Sequence, residues 1–447
     1  MLFYSTNRQS PDVSFRNALM TGQAPDKGLY MPREIPKVSM ETLEKWRSLD
    51  YPELAYEVLS LYTKEDVSAD TQRMLCYECY NFEIPLEKVF DRNYLMRLDR
   101  GPTASFKDFA ARMMARWTRE FLKEENREIT ILTATSGDTG SAVAHAFHGL
   151  DNIRVVVLFP QAEVSARQRK QMTTLGNNIT TIGIDGKFDD AQAMVKQAFA
   201  DPELSKINLS SANSINIGRL LPQSVYYVWA YLQNSKLGED IVFCVPSGNF
   251  GDMMGGMLAW RMGIPVRKMI VAVNSNYEFP EYLSSEVYNK IVPSKNALSN
   301  AMNVGHPSNL ARLVELYGGI MRETGEVSKQ PDLDAMRKDL YSVSVDDEWT
   351  KKNIRESYEQ YGILLEPHGS VGWAALLHWI EEGNNPGFSV TLETAHPAKF
   401  PDEIIELLGI TPDPPPSLEG LDDLEEHWLP MKADYNEFKE FLKKNFI

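Results

Sequence analysis

From Ile129 onward the chain alternates between short β-rich runs and helical stretches, and this alternation constrains the fold more than any other feature. Ile129–Thr135, Ile153–Phe159 and Ile179–Ile184 are built largely from Ile, Val, Leu and Thr. An alanine-rich helical pattern follows the first run, Ser165–Leu175 follows the second with Gly176 as its stop, and Asp189–Phe199 follows the third. Strands separated by helices at short loop lengths pair in parallel, since a parallel pair needs a crossover between its members. The almost unbroken apolar character of Ile153–Phe159 suits a strand covered on both faces. The pattern resumes with a helix over about Leu220–Gln233, carrying Pro222 in its first turn. A strand at Ile241–Val245, a helix over about Asp252–Met262 and a strand at Val266–Val273 come next, and Phe388–Leu392 is a further strand. The predicted fold class is α/β, with open, mostly parallel sheets and helices on both faces.

Two of the predicted strand ends run into glycine loops, Thr135-Ser-Gly-Asp-Thr-Gly140 and Pro246-Ser-Gly-Asn-Phe-Gly-Asp252. In an open α/β sheet, ligands bind at the carboxyl ends of strands. A helix N-terminus there presents unpaired N–H groups and partial positive charge to an anion. Upstream, Gly101-Pro-Thr-Ala-Ser-Phe-Lys-Asp108 sets Lys107 between an aromatic ring and an acid. Gly101 and Lys107 have a Walker-like separation, but Phe106 stands where the glycine before the lysine belongs. Asp108 likewise replaces the Ser or Thr that would hold magnesium. A lysine combined with two strand–glycine loop–helix units points instead to a phosphate-bearing cofactor whose carbonyl condenses with that lysine, as pyridoxal phosphate (PLP) does. Thr394, directly after a strand, has a plain alternative as a helix cap. Glu366-Pro-His-Gly369 reads equally well as a turn.

At 447 residues the chain is too long for one core. The predicted divisions are a small N-terminal domain at 1–95, a small α/β domain at 96–220 and a large α/β domain with a C-terminal helical extension at 221–447. A formal charge of −16 argues against nucleic acid or an anionic membrane as partner, and requires any anionic substrate to be received by a local pocket. Three cysteines are too few for a disulfide framework. Cys76 and Cys79 have C-x-x-C spacing without a second pair, so they read as structural residues of a helical stretch. His145 and His148 lack a third ligand, and no metal site is expected. No signal-peptide pattern or membrane-length apolar run is present, and a cytoplasmic protein is expected.

These segments, in their order along the chain, closely resemble the threonine synthase family of PLP enzymes of fold type II. The resemblance rests on Phe3-Tyr-Ser-Thr6, Gly101–Asp108, Leu132–Gly140, Ser211-Ala-Asn-Ser-Ile-Asn216, Val245–Asp252, Leu298-Ser-Asn-Ala-Met302 and Thr394-Ala-His-Pro-Ala-Lys-Phe400, with Asn7 as a small departure outside these blocks. It implies conversion of O-phospho-L-homoserine and water to L-threonine and phosphate. Lys107 then matches the cofactor-bearing lysine, and Gly248, Asn249, Phe250 and Asp252 match the cofactor loop. Thr394 matches the hydroxyl near the pyridine nitrogen. Ser136, Gly137, Asp138 and Thr139 match the loop that receives the substrate carboxylate. Thr103 and Ser105, on the Lys107 segment, join the substrate-binding candidates, and Ser211, Asn213 and Arg219 are candidates for the substrate phosphate. A monomer or homodimer is expected. The rival readings are another fold type II enzyme (a phospho-lyase or dehydratase) and a catalytically silent PLP-binding protein.

Overall fold

The structure, a computed structural model, describes residues 1–125 and 127–447. Two parallel sheets organise them. The smaller has five strands, all parallel, in the order Leu429–Lys432, Ile179–Asp185, Ile153–Pro160, Ile129–Ala134 and Leu209–Ser210. Side chains alternate across it, and each face is covered. Ile131, Val155 and Val157 pack with Val143 and Phe147 on one side, while Leu132, Val156 and Leu158 pack with Met194 and Val195 on the other.

The larger sheet runs Leu340–Ser344, Val266–Val273, Ile241–Pro246, Phe388–Glu393, Asn93–Arg97 and Leu86–Phe90. It is parallel except for its last pair, an antiparallel hairpin. Strands Ile241–Pro246 and Phe388–Glu393 sit centrally, so the loops after them open at the middle of the sheet edge.

Three sequence expectations need correcting. The division at 95/96 falls inside the strand Asn93–Arg97, whose hydrogen bonds belong to the larger sheet. The C-terminal segment, expected with residues 221–447, instead adds the edge strand Leu429–Lys432 to the smaller sheet. Its helix Tyr435–Phe446 buries Phe438 and Leu442 beside Ala191 and Val195. Pro430 is tolerated in that strand because an edge position needs no second row of donors. The single helix expected near 220 is two, Ile217–Leu220 and Gln223–Asn234, separated at Leu221-Pro222. Proline has no N–H with which to continue the ladder.

Residues 1–80 form a three-stranded antiparallel sheet and four helices, the last three being Met40–Trp46, Tyr51–Thr63 and Ala69–Cys79. Ser39, Asp50 and Ser68 cap those three by accepting N–H bonds from the third residue of each helix. Their apolar faces have no separate core; Leu54, Val58 and Leu75 merge with Phe243, Val245 and Met257 of the larger sheet's core. Cys76 and Cys79 are buried there as free thiols, raised by burial, Cys79 to about 12. Between the two sheets runs the helix Lys107–Glu125. Phe109, Met113, Trp117 and Phe121 enter the larger core, and Ala111, Met114, Ala115 and Leu122 the smaller. Lys107, its first residue, is therefore held at the junction of both cores. Among the described residues no helix is long and apolar enough to cross a membrane.

Candidate active site

A cavity of about 1050 Å³ opens at the carboxyl ends of both sheets' central strands. It is lined by Lys107, Ser136, Asp138, Thr139, Ser211, Asn213, Arg219, Gly248, Asn249, Phe250, Asp252 and Thr394. Residues far apart in sequence thus meet because both glycine loops leave strands at the same edge. The N-terminal region reaches it too, through Thr6, Lys27 and Gly28.

The turn that presents Lys107 is built by Asp108. Its carboxylate accepts from the Thr103 N–H at 2.8 Å and the Thr103 hydroxyl at 2.7 Å. A side chain at Gly101 would come within 2.4 Å of that carboxylate, which is why glycine stands there. Backbone bonds from Phe106 N–H to Thr394 O and from His396 N–H to Ala104 O then tie this turn to the Thr394 segment. Lys107 Nζ lies 4.4 Å from the Phe106 ring centroid. Burial pushes its amine down to about 8, with Lys399 and Arg219 acting in the same direction and Asp138 and Asp252 against it.

Thr103, Ser105 and Gly137 do not line the cavity as predicted. Thr103 is fully engaged with Asp108, and its carbonyl accepts from Gln171 and Lys399. Ser105 is buried in a bridge to Ala395. Gly137, at φ +135°, faces the Gln168 side chain, and a Cβ there would lie 2.5 Å from it. Its N–H and that of Gly140 both go to the Thr135 hydroxyl, which shapes the loop.

Two helices that start at the cavity have no side-chain cap from the N-cap residue, although the Thr135 hydroxyl takes the Gly140 N–H in the first turn of Asp138–Phe147. The helix Gly251–Met262 begins after Phe250 in left-handed conformation (φ +61°), and Asp138–Phe147 begins after Gly137. Uncapped first-turn N–H groups remain available to anions. Arg219, whose sequence context fitted a surface helix equally well, is 4% exposed. It donates to Ala212 O at 2.6 Å, its Nε has no partner, and burial pulls it down to about 10. Arg219 lines the cavity without a carboxylate partner, and a guanidinium so placed suits a ligand oxygen.

The two acids behave differently. Asp252 accepts from Tyr226 and Tyr227 hydroxyls at 2.6 and 2.7 Å, and burial pushes it up to about 6 against these bonds and Lys107. Burial would raise Asp138 too, but Lys399 and Lys107 hold it well below the usual carboxylate range. Lys399 Nζ lies 2.5 Å from Asp138 Oδ1, and Gln168 donates to the same oxygen at 3.0 Å.

Sequence reasoning gave Lys399, Gln168 and His368 no role. Lys399 lies in the Thr394–Phe400 segment, and its partner Asp138 is remote in sequence. Glu366 begins the helix Pro367–Glu381 rather than a plain turn, accepting from His368 and Gly369 N–H. His368 Nε2 accepts from Ala301 N–H at 3.0 Å, so its Nδ1 carries the proton and donates to Glu366 at 2.5 Å. This fixes the turn Asn300–Met302 against the cavity. The cap alternative for Thr394 loses its basis, since the turn Pro397–Lys399 is capped by His396.

The residues fit PLP: a buried lysine of lowered pKa, an uncapped helix N-terminus and a neutral hydroxyl share one cavity. Among the described residues no cluster suited to a metal ion occurs. Comparison with known proteins gives the same chemistry. A family described as "Pyridoxal-phosphate dependent enzyme" matches residues 84–391, "Threonine synthase N terminus" matches 2–80, and "Threonine synthase, C-terminal" matches 369–442. The threonine synthase of Serratia marcescens is 39% identical over 446 residues, covering 99% of each chain, and that of Escherichia coli K12 is 37% identical over 447 at the same coverage. The structure of PLP-bound threonine synthase from Brucella melitensis superposes with a TM-score of 0.93 at 33% identity, covering 100% of this chain and 99% of that one.

Proposed function

Since this chain belongs to the threonine synthase family of PLP-dependent enzymes, we propose that it converts O-phospho-L-homoserine and water to L-threonine and phosphate, with Lys107 as the cofactor-bearing lysine. The observation that carries this reading is the meeting of Lys107, the uncapped helix at Gly251, Arg219 and Thr394 in one cavity.

In this reading Gly248, Asn249 and Phe250 lead into the helix that holds the cofactor phosphate, by backbone N–H groups and the positive helix end. Thr394 offers the pyridine nitrogen a neutral hydroxyl. When bound, PLP supplies the electron sink that makes the substrate's Cα and Cβ protons acidic and lets phosphate leave Cγ. The Lys107 amine takes and returns those protons. A group titrating at about 8 has a substantial neutral fraction near pH 7–8, so it accepts a proton without first losing one to solvent. The backbone N–H groups at Ser136, Asp138 and Thr139, at the start of the helix Asp138–Phe147, receive the substrate carboxylate, with the Asp138 side chain, itself an anion, turned to Lys399. Arg219, with Ser211 and Asn213, receives its phosphate, where a guanidinium forms two parallel bonds. Water, which adds at Cβ, reaches the site through the cavity's open side, lined by exposed residues such as Lys27 and Lys196. A cytoplasmic setting fits a biosynthetic enzyme of this kind.

The test is to incubate the purified, PLP-loaded protein with O-phospho-L-homoserine and assay products. Equal amounts of threonine and phosphate are expected. Phosphate accompanied by ammonia and a keto acid would overturn this reading in favour of a phospho-lyase.

A further inference from the structure

Lys399 is fully buried. Its ammonium pairs with Asp138 Oδ1 at 2.5 Å and donates to Thr103 O at 2.9 Å. It does not line the cavity, whereas Asp138 and Lys107 both do. Asp138 and Lys107 are the first residues of their helices, so they meet at the same edge where two helix N-termini converge. A carboxylate beside a catalytic amine stabilises its protonated form and works against its use as a base. Here one carboxylate oxygen is already occupied: Lys399 and Gln168 both bind Oδ1, and neither of them lines the cavity.

We propose that Lys399 is a positioning residue: by holding Asp138 it keeps that carboxylate from pairing with Lys107 and leaves the Lys107 amine free to accept protons from the substrate. The inference rests on the reading of Lys107 as the cofactor-bearing lysine. Lys399 also ties the helix start at Asp138 to the turn at Thr103 and the segment after Thr394, two segments that backbone bonds already join. The charged groups facing Lys107 are Asp138, Lys399, Arg219 and Asp252, and His368 also faces Asp138. Asp252 is held by its two tyrosines and Arg219 lacks a carboxylate partner, so the Asp138–Lys399 pair is the adjustable element.

The test is competitive acylation of the full-length chain freed of PLP, across a pH series, reading modification of the Lys107 peptide by mass spectrometry. The wild-type midpoint is expected at about 8. Lys399→Met and Lys399→Gln should raise it by about 1–3 units, as expected for a carboxylate newly free to pair. Lys399→Arg should leave it in place. Asp138→Asn should lower it, because the Lys399 charge then stands uncompensated. Simple loosening of the site would raise the midpoint in every variant, Asp138→Asn included. Lys399→Met/Asp138→Asn removes both charges together, so it stays foldable where a single variant does not, and its midpoint should fall below that of Lys399→Gln. An unmoved midpoint in Lys399→Met and Lys399→Gln, or a raised one in Asp138→Asn, would overturn the inference. If borohydride still fixes PLP on Lys107 in that case, the proposed function stands without it. Fixation elsewhere would overturn both.

Discussion

At the start of the helix Gly251–Met262 the first-turn acid, Asp252, is held by two tyrosine hydroxyls and pushed up to about 6. At the start of the helix Asp138–Phe147 the corresponding acid is bound to a buried lysine and kept ionised well below the usual range. Both helices follow a strand and a glycine loop, neither is capped by its N-cap residue, and both face one cavity. The backbone device is shared and the treatment of the acid is opposite. At the phosphate end two tyrosine donors disperse the charge of the first-turn acid, which otherwise opposes the helix dipole and the ligand alike. A helix end beside a catalytic lysine keeps an anion, but one already satisfied by another cation.

Gly248→Val should have the largest effect. A Cβ at Gly248 meets Met302 Cα at 2.9 Å and Ala301 O at 3.0 Å, both backbone atoms, so the loop or the fixed turn beyond it must move. PLP affinity, read by equilibrium dialysis, should fall about 100-fold or more, the scale of losing two or three charge-assisted bonds at 1.5–3 kcal/mol each. A Val variant with unchanged affinity would put the phosphate elsewhere, and the contrast between the two helices would lose its meaning.

Asp138→Asn leaves the buried Lys399 ammonium unpaired, and unfolding free energy should drop by about 3–5 kcal/mol with PLP affinity little changed. The pH dependence follows from its depressed folded pKa. Ionised Asp138 contributes stability above the ordinary value of 3.8, and that contribution is lost as pH falls below it. The acid limb of the stability curve should therefore flatten in Asp138→Asn. A steep acid limb in the variant would mean that other carboxylates produce it.

Arg219→Ala should raise KM for O-phospho-L-homoserine about 10- to 150-fold, corresponding to about 1.5–3 kcal/mol, while PLP content stays intact. That outcome separates the substrate's anion site from the cofactor's. An effect below about threefold would remove Arg219 from the substrate site.

Asp252→Asn should have the smallest effect near pH 4, where the native carboxyl is protonated, and should leave the variant more stable than the wild type at pH 7. The amide oxygen still accepts from both tyrosines, and its NH2 replaces Oδ2, which has no partner. Here the linkage sign is reversed. With a folded pKa of about 6 against 3.8, the native state binds more protons between these values, so stability falls as pH rises from 4 to 6. The loss is about 3 kcal/mol for a shift of about two units. Calorimetry of Asp252→Asn should show that decline gone; its persistence would assign it to another group.

The sequence made the sheets legible where strands are central and apolar. Ile129–Ala134, Ile153–Pro160, Ile179–Asp185 and Ile241–Pro246 all stand where the β-rich runs place them. The edge strand Leu429–Lys432 was not legible, because it contains proline and is mostly exposed. In the site, the glycine loops and Lys107 could be read because local geometry leaves a local pattern. Burial leaves none at a single charged residue, so Arg219 fitted a surface helix as well as a cavity wall. Lys399 was silent for a related reason: a buried lysine is explained only by its partner, and Asp138 belongs to the other sheet. Thr103 misled for the converse reason, since a hydroxyl beside the key lysine looks like a ligand contact when its partner is the acid one residue past that lysine.

Two lysines, Lys107 and Lys399, lie close to Asp138, and only one lines the cavity. The measurement that decides between them is borohydride reduction of the PLP-loaded protein, followed by proteolysis and mass mapping of the reduced cofactor. The adduct is expected on Lys107 alone, and absent in Lys107→Ala. An adduct on Lys399, or on any other lysine, would contradict the assignment of a reactive amine at 107 and a structural cation at 399.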